Sequence, residues 1–367
     1  MLNNLSHWMK HILSIVLAAS LSSPLHAQTE VTPYQPGITP DGITYFLPQT
    51  RLCVVVKATR KHFEPGEFAD YAQRFMRLTD AVQQPRDEWE LEGVELLTYG
   101  TADPAKAFTI KLNPKSAAPL VSLAPDGRLL SVNAATEWKE TPLPAELTER
   151  LEEVGTEAEN YKTQEILRAG SRAKMAELTA AEIYDIRDNR NLLTKGQADF
   201  MPKDGEQLRL MLQNLDERET ALLHLFTGSV TTDRFTKVYE LTPSPALGQT
   251  VLFGFSKYLG FVAPDDPAGK PVTLSLSDLT PPAPPAPETE KDKKAKEVLD
   301  LRYIVPGRVE VLAAMDGQTL AKGTFPMAQY GRVEHLGGEL FNKKFTTHVW
   351  ISPLTGGVEK IDAVRPE

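Results

Sequence analysis

Hydrophobic and polar positions change period three times along this chain. Early on, apolar residues alternate or cluster in β-branched blocks. Residues 43–47 and 50–58 read as two strands separated by Pro48, because proline cannot donate a ladder hydrogen bond. Residues 89–99 and 107–112 read as two more. Residues 120–123 and 128–132 flank Ala124-Pro125-Asp126-Gly127, a hairpin signal in which proline sets φ early in the turn and glycine accepts positive φ late. Between these strands Phe68, Tyr71, Ala72, Phe75 and Leu78 recur at helical spacing and predict one helix over 67–78. From 137 to 177 the periodicity fades and glutamate dominates. This predicts an acidic, solvated, partly helical connector.

The period then becomes helical. Thr179 with Glu182 three residues on fits a capping box, and Ile183, Ile186 and Leu193 share one face. Asp204 marks a second helix start. Leu208, Met211, Leu212, Leu215, Leu222, Leu225 and Phe226 form a stripe that ends at Gly228, a helix-stop residue. Residues 195–203 then form the loop of a helical hairpin, whose stripe is read as core packing. The last third alternates again, at 235–241 and 272–276. Residues 303–315 and 319–325 flank Asp316-Gly317, a type I′ hairpin sequence, and residues 346–352 and 358–362 flank Gly356-Gly357. A proline run at 281–287, followed by nearly continuous charge to Lys296, has nothing to bury and predicts a disordered insert.

The pattern predicts an α+β fold, mostly β: two β-rich, sandwich- or barrel-like domains joined by a central helical hairpin. The divisions are a signal peptide at 1–27, an extended leader at 28–42 and an N-terminal β-rich domain with one helix at 43–136. The acidic connector at 137–177 and the helical hairpin at 178–228 follow. A C-terminal β domain at 229–367 carries the insert at 281–296. The signal peptide rests on Lys10, the apolar run from Ile12 to Leu21, and a small residue at Ala27, which places cleavage between Ala27 and Gln28. That run is too short for a bilayer-spanning helix, so no integral span is expected in the mature chain. Gln28, not cysteine, follows the cut, so no lipid anchor is expected and the protein should be periplasmic or secreted.

Four phrases carry a family resemblance. They are Tyr45-Phe46-Leu47-Pro48-Gln49-Thr50, the run from Ala181-Glu182-Ile183 to Arg187-Asp188-Asn189-Arg190-Asn191-Leu192-Leu193, residues 201–228, and Ile351-Ser352-Pro353-Leu354-Thr355-Gly356-Gly357. Together the chain resembles domain of unknown function 4831, a family of Bacteroidota cell-envelope proteins, over nearly all of its length after residue 27. The resemblance implies export and an envelope location. It transfers no activity and no catalytic residue.

Charge and chemistry narrow the function classes. A net charge of −9 opposes nucleic acid and anionic membrane surfaces as partners. The single cysteine, Cys53, cannot form an internal disulfide and sits in a β-branched run as a small buried hydrophobe. His62, His224, His335 and His348 show no metal-type spacing. Glu334, His335 and His348 are the loosest imaginable ligand set, and no metal is expected. No GxSxG, GxGxxG or GxxxxGK[ST] motif occurs, so no cofactor is expected and no catalytic residue can be named. Trp138 in a polar stretch suits a sugar face, but a tryptophan half-buried under its own loop is the simpler reading. The leading expectation is a non-enzymatic envelope binding or assembly component whose partner is an envelope protein or a glycan. The alternative is a hydrolase acting on envelope or dietary glycan through a carboxylate pair.

Overall fold

A computed structural model describes residues 30–35, 42–111, 120–139, 142–155, 158–283, 301–336 and 346–364. Two very long antiparallel strands organise it. β2 (Gly42–Glu64) has 23 residues and β3 (Arg86–Lys111) has 26. Strands usually run about 3–10 residues, so these two must serve more than one core. β1 (Glu30–Pro33) pairs with the far end of β3. β4 (Val121–Leu123) and β5 (Leu129–Val132) form the hairpin expected from Pro125-Asp126-Gly127. β6 (Leu147–Val154) and β7 (Ser229–Leu241) complete a five-stranded sheet in the order β1-β3-β2-β7-β6.

The second sheet holds β8 (Gln249–Ser256), β9 (Gly260–Val262), β10 (Lys270–Asp278), β11 (Leu301–Met315) and β12 (Gln318–Leu336), in the order β12-β11-β10-β8-β9. Asp316 and Gly317 both take positive φ, 53° and 78°, as the type I′ turn between β11 and β12 requires. β13 (Thr346–Ile351) and β14 (Val358–Val364) join β5 and β4 in a four-stranded sheet. The α+β, mostly β class holds.

Three cores follow. The first lies between the two five-stranded sheets. There Leu52, Val54 and Val56 of β2 meet Phe253, Val272, Leu274, Val309 and Val311. The second joins Tyr45, Leu47 and Ile110 at the other end of the long strands to Leu129, Val349 and Ile351 of the four-stranded sheet. Register shifts at Phe46/Pro48 and Val305/Gly307 mark where β2 and β11 pass from one core to the other. Pro48 and Pro306 sit at those shifts, where a missing N–H costs no ladder bond. The side chains of buried Thr50 and half-buried Gln329 pin this crossing. Gln329 Nε2 donates to the Thr50 and Pro243 carbonyls, and Thr50 Oγ1 accepts from Ala328 N and donates to the Leu354 carbonyl.

The third core is helical. It gathers Phe68, Ala176, Ile183, Leu222, Leu225 and Phe226 from α2 (Arg172–Lys195), α3 (Gly205–Thr227) and the segment before β3. A short helix, α1 (Gln164–Leu167), adds Ile166 to the buried set.

Several expectations change. Pro48 does not interrupt the strand, because β2 continues through it with a shifted register. Residues 89–99 and 107–111 are likewise one strand, with Leu112 outside the described residues. The helix predicted over 67–78 is a 3-10 turn at Ala69–Tyr71 followed by a π turn at Ala72–Met76, stopped by Arg77 at φ 61°. The hairpin starts earlier than Thr179. Ser171 caps α2 by accepting from Lys174 N, while Thr179 is buried mid-helix and donates to the Met175 carbonyl. The connector at 137–177 contains β6, an edge strand with no apolar face to announce it. Finally, β7 pairs with β2 across thirteen positions, so residues 229–241 belong to the first sheet. Residues 1–29, including Ala27 and Gln28, and residues 284–296 of the insert lie outside the described residues.

Candidate functional site

α3 has two faces, and its helical spacing separates them. Leu222, Leu225 and Phe226 are buried against α2 and Phe68, and Glu219 is buried beside them. Arg187 and Arg190 of α2 bridge to Glu219 at 2.6 and 2.8 Å, and Arg190 reaches Asp216 at 2.7 Å. The opposite face carries Arg209, Leu212, Gln213, Asp216, Glu217, Thr220, Ala221 and His224. These residues line a groove of about 890 Å³ closed on its other side by Glu153, Val154, Gly155, Ala158 and Tyr161. Leu212, expected in the core stripe, therefore lines the groove. The stripe is also weaker at Leu208, Met211 and Leu215, which are half-buried.

The groove wall at Glu153 and Val154 is the end of β6, the outer strand of its sheet. An exposed edge is a template for another strand, and this one is blunted. Glu149, Arg150, Glu152 and Glu153 place charge along it, and a register shift falls between Arg150 and Glu152. Arg150, itself half-exposed, joins Arg60 on buried Asp233. Burial pushes the Asp233 carboxyl up, but the hydrogen bonds from Arg60 and Arg150 outweigh it and hold the group below the usual carboxylate range. The polar groups of the groove are largely engaged by their own neighbours. Glu153 pairs with Arg150 at 2.9 Å, Arg209 with Glu206 at 2.6 Å, and Gln213 donates to Glu217 at 2.8 Å. His224 Nδ1 donates to the Gly228 carbonyl at 3.1 Å.

A second, smaller cleft of about 260 Å³ lies far along the sequence, between Thr98–Gly100 of β3, Arg128, Trp138 and Pro353–Leu354. Residues 41–359 match the family described as a domain of unknown function, DUF4831. The chain belongs to this family. No curated protein and no solved structure matches it.

In this DUF4831 protein the other residues singled out by sequence do not converge. Glu334 pairs with Arg332 on β12, His335 lies opposite Arg302 in the β11–β12 ladder, and His348 Nδ1 contacts the Asn133 carbonyl while its ring stacks on Trp350. Among the described residues no three His, Cys, Asp or Glu side chains gather to hold a metal ion. No helix of the described residues is long and apolar enough to cross a membrane. Cys53 is fully buried; burial, with the nearby charges of Glu240 and Glu95, pushes its thiol up and away from reactivity. Trp138 is half-buried under the guanidinium of Arg128. Neither the groove nor the cleft was legible beforehand, since each joins segments distant in sequence whose outward faces carry ordinary surface residues.

His62 has a carboxylate beside each ring nitrogen. Nδ1 lies 2.6 Å from Asp87 and Nε2 lies 3.2 Å from Glu64. The hydrogen bonds to Asp87, then Glu64, raise its pKa above the ordinary value. A raised folded-state pKa stabilises the fold fully below the unfolded value of about 6.5, and that contribution is lost as pH rises through the folded pKa. Wild-type protein should therefore exceed His62→Gln in stability at pH 5, with the gap closing above neutrality. Urea midpoints across pH 5–9 measure this, and a gap that widens with pH would refute it.

Proposed function

We propose that this protein is exported to the cell envelope, periplasmic or secreted, and serves there as a non-enzymatic binding or assembly component. The pattern of residues 1–27, with Gln28 rather than cysteine after the cut, supports export without a lipid. The groove on α3 carries the binding reading. It is open, mixes apolar Leu212, Val154 and Tyr161 with a charged rim, and so has the composition of a protein interface. Its carboxylates are poorly prepared for acid catalysis. Side chains of Glu153 and Asp216 are 45% and 57% exposed and tied to Arg150 and Arg190, whereas a catalytic acid needs dry, apolar surroundings. The partner that suits this lining is an envelope polypeptide.

A photo-crosslinking residue at Thr220, in protein exported by its native host, tests the reading. One discrete envelope adduct is expected, and it should vanish with Leu212→Glu while the melting temperature holds. The exported chain should begin at Gln28. Release of sugar from envelope glycan by the purified protein, abolished by Glu153→Gln, would overturn the proposal in favour of a hydrolase.

A further inference from the structure

Arg128 is 6% exposed, yet its guanidinium is only partly used. It follows the β4–β5 turn, where Phe46 N donates to the Gly127 carbonyl and ties that turn to β2. Its Nε donates to Asp126 at 2.7 Å and one terminal nitrogen donates to the Pro353 carbonyl. Asp126 is itself fixed by the backbone N–H of Ala102. Among the described residues the other terminal nitrogen has no hydrogen-bond partner and is not sealed from solvent, which leaves it available to the cleft that Arg128 lines. The Trp138 ring covers the guanidinium with its centroid 5.0 Å from Cζ, which removes water from one face and strengthens hydrogen bonds made at the edge. A side chain at Gly100 would overlap both Arg128 and the Pro353 carbonyl, so glycine there is what lets the cleft floor assemble.

We propose that this cleft binds the carboxylate of a small monoanionic ligand. A buried, pre-oriented arginine with free N–H groups is the side chain best matched to a carboxylate. Asp126 already balances one positive charge on the far side of Arg128, and among the described residues the rim charge of Lys139 has no ion-pair partner, which suits a monoanion over a dianionic phosphate. Leu143, Leu354 and Trp138 offer an apolar wall for the body of the ligand. At about 260 Å³ the space falls below the ~300–1,000 Å³ of drug-sized pockets, so one ring or a body of similar size fits. A sugar acid and an N-acylated amino acid share this chemistry. The site is separate from the α3 groove and stands or falls independently of it.

Titration of the purified mature chain with glucuronate, N-acetylalanine and glucose, followed by tryptophan fluorescence and calorimetry, tests the proposal. At least one of the two carboxylates should saturate below about 10 mM, and whichever binds identifies the source. Glucose should bind at least about tenfold more weakly, since it leaves the charged hydrogen bonds unmade. Arg128→Lys should weaken carboxylate binding by a similar factor. If Arg128→Lys does not fold, Lys139→Gln at the exposed rim decides, with an expected loss of affinity at unchanged melting temperature. Trp138→Phe should remove the fluorescence response. Failure of both carboxylates to saturate, equal binding of glucose, full affinity in a folded Arg128→Lys, or, where that variant does not fold, full affinity in Lys139→Gln would overturn it.

Discussion

Phe226→Ala should lower the unfolding free energy by about 3–5 kcal/mol, the range for truncating a fully buried aromatic. Phe226 is 0% exposed, its ring lies 5.6 Å from that of Phe68, and Leu222, Leu225 and Ile183 enclose it. The cavity would lie between α2 and the irregular turns after β2. Leu215→Ala, nearer the centre of the same stripe, should cost less, about 1–2 kcal/mol, because Leu215 is only half-buried and its removal leaves no closed void. Urea unfolding of both variants with an unchanged m-value is the measurement. Equal losses at the two positions would show that the third core is not sealed around Phe226. The α3 groove would then be a continuation of the core rather than a surface separate from it.

Gly228→Ala should be comparably damaging for a different reason. Gly228 ends α3 with its N–H on the His224 carbonyl, at φ 97° and ψ −179°, a backbone region essentially restricted to glycine. A residue with a Cβ there costs about 1–3 kcal/mol in backbone strain alone. The Cβ would also overlap the Glu64 carbonyl oxygen at the end of β2, so that strand or the helix end must shift, at about 1–3 kcal/mol more. The displacement would reach the groove, since His224 lines it and its Nδ1 donates to the Gly228 carbonyl. The expected result is a lowered melting temperature together with loss of the Thr220 adduct. Full stability in Gly228→Ala would mean that α3 can end in another conformation without β2 moving.

The legible regions of this protein were those that local chemistry dictates. The turns at Pro125-Asp126-Gly127 and Asp316-Gly317 stand where proline and positive-φ residues demand them. The C-terminal half of α3 buries the positions its spacing marks, Asp204 caps it by accepting from Glu206 N, and Gly228 stops it. Cys53 is buried as its β-branched neighbours imply.

Tertiary structure decided what local chemistry leaves open. Proline says that a ladder bond is missing, and only the packing shows that β2 runs on through Pro48, because Thr50 and Gln329 supply polar partners at the crossing. β6 is a strand because β7 offers it an edge to pair with; its own glutamates carry no period-2 signal. Membership of a sheet is a long-range property for the same reason. Residues 229–241 alternate as any strand would, but thirteen pairings to β2 place them beside residues far earlier in the chain. The groove and the Arg128 cleft are the extreme case. Each is formed between elements remote in sequence, and the space between elements leaves no periodicity in a chain.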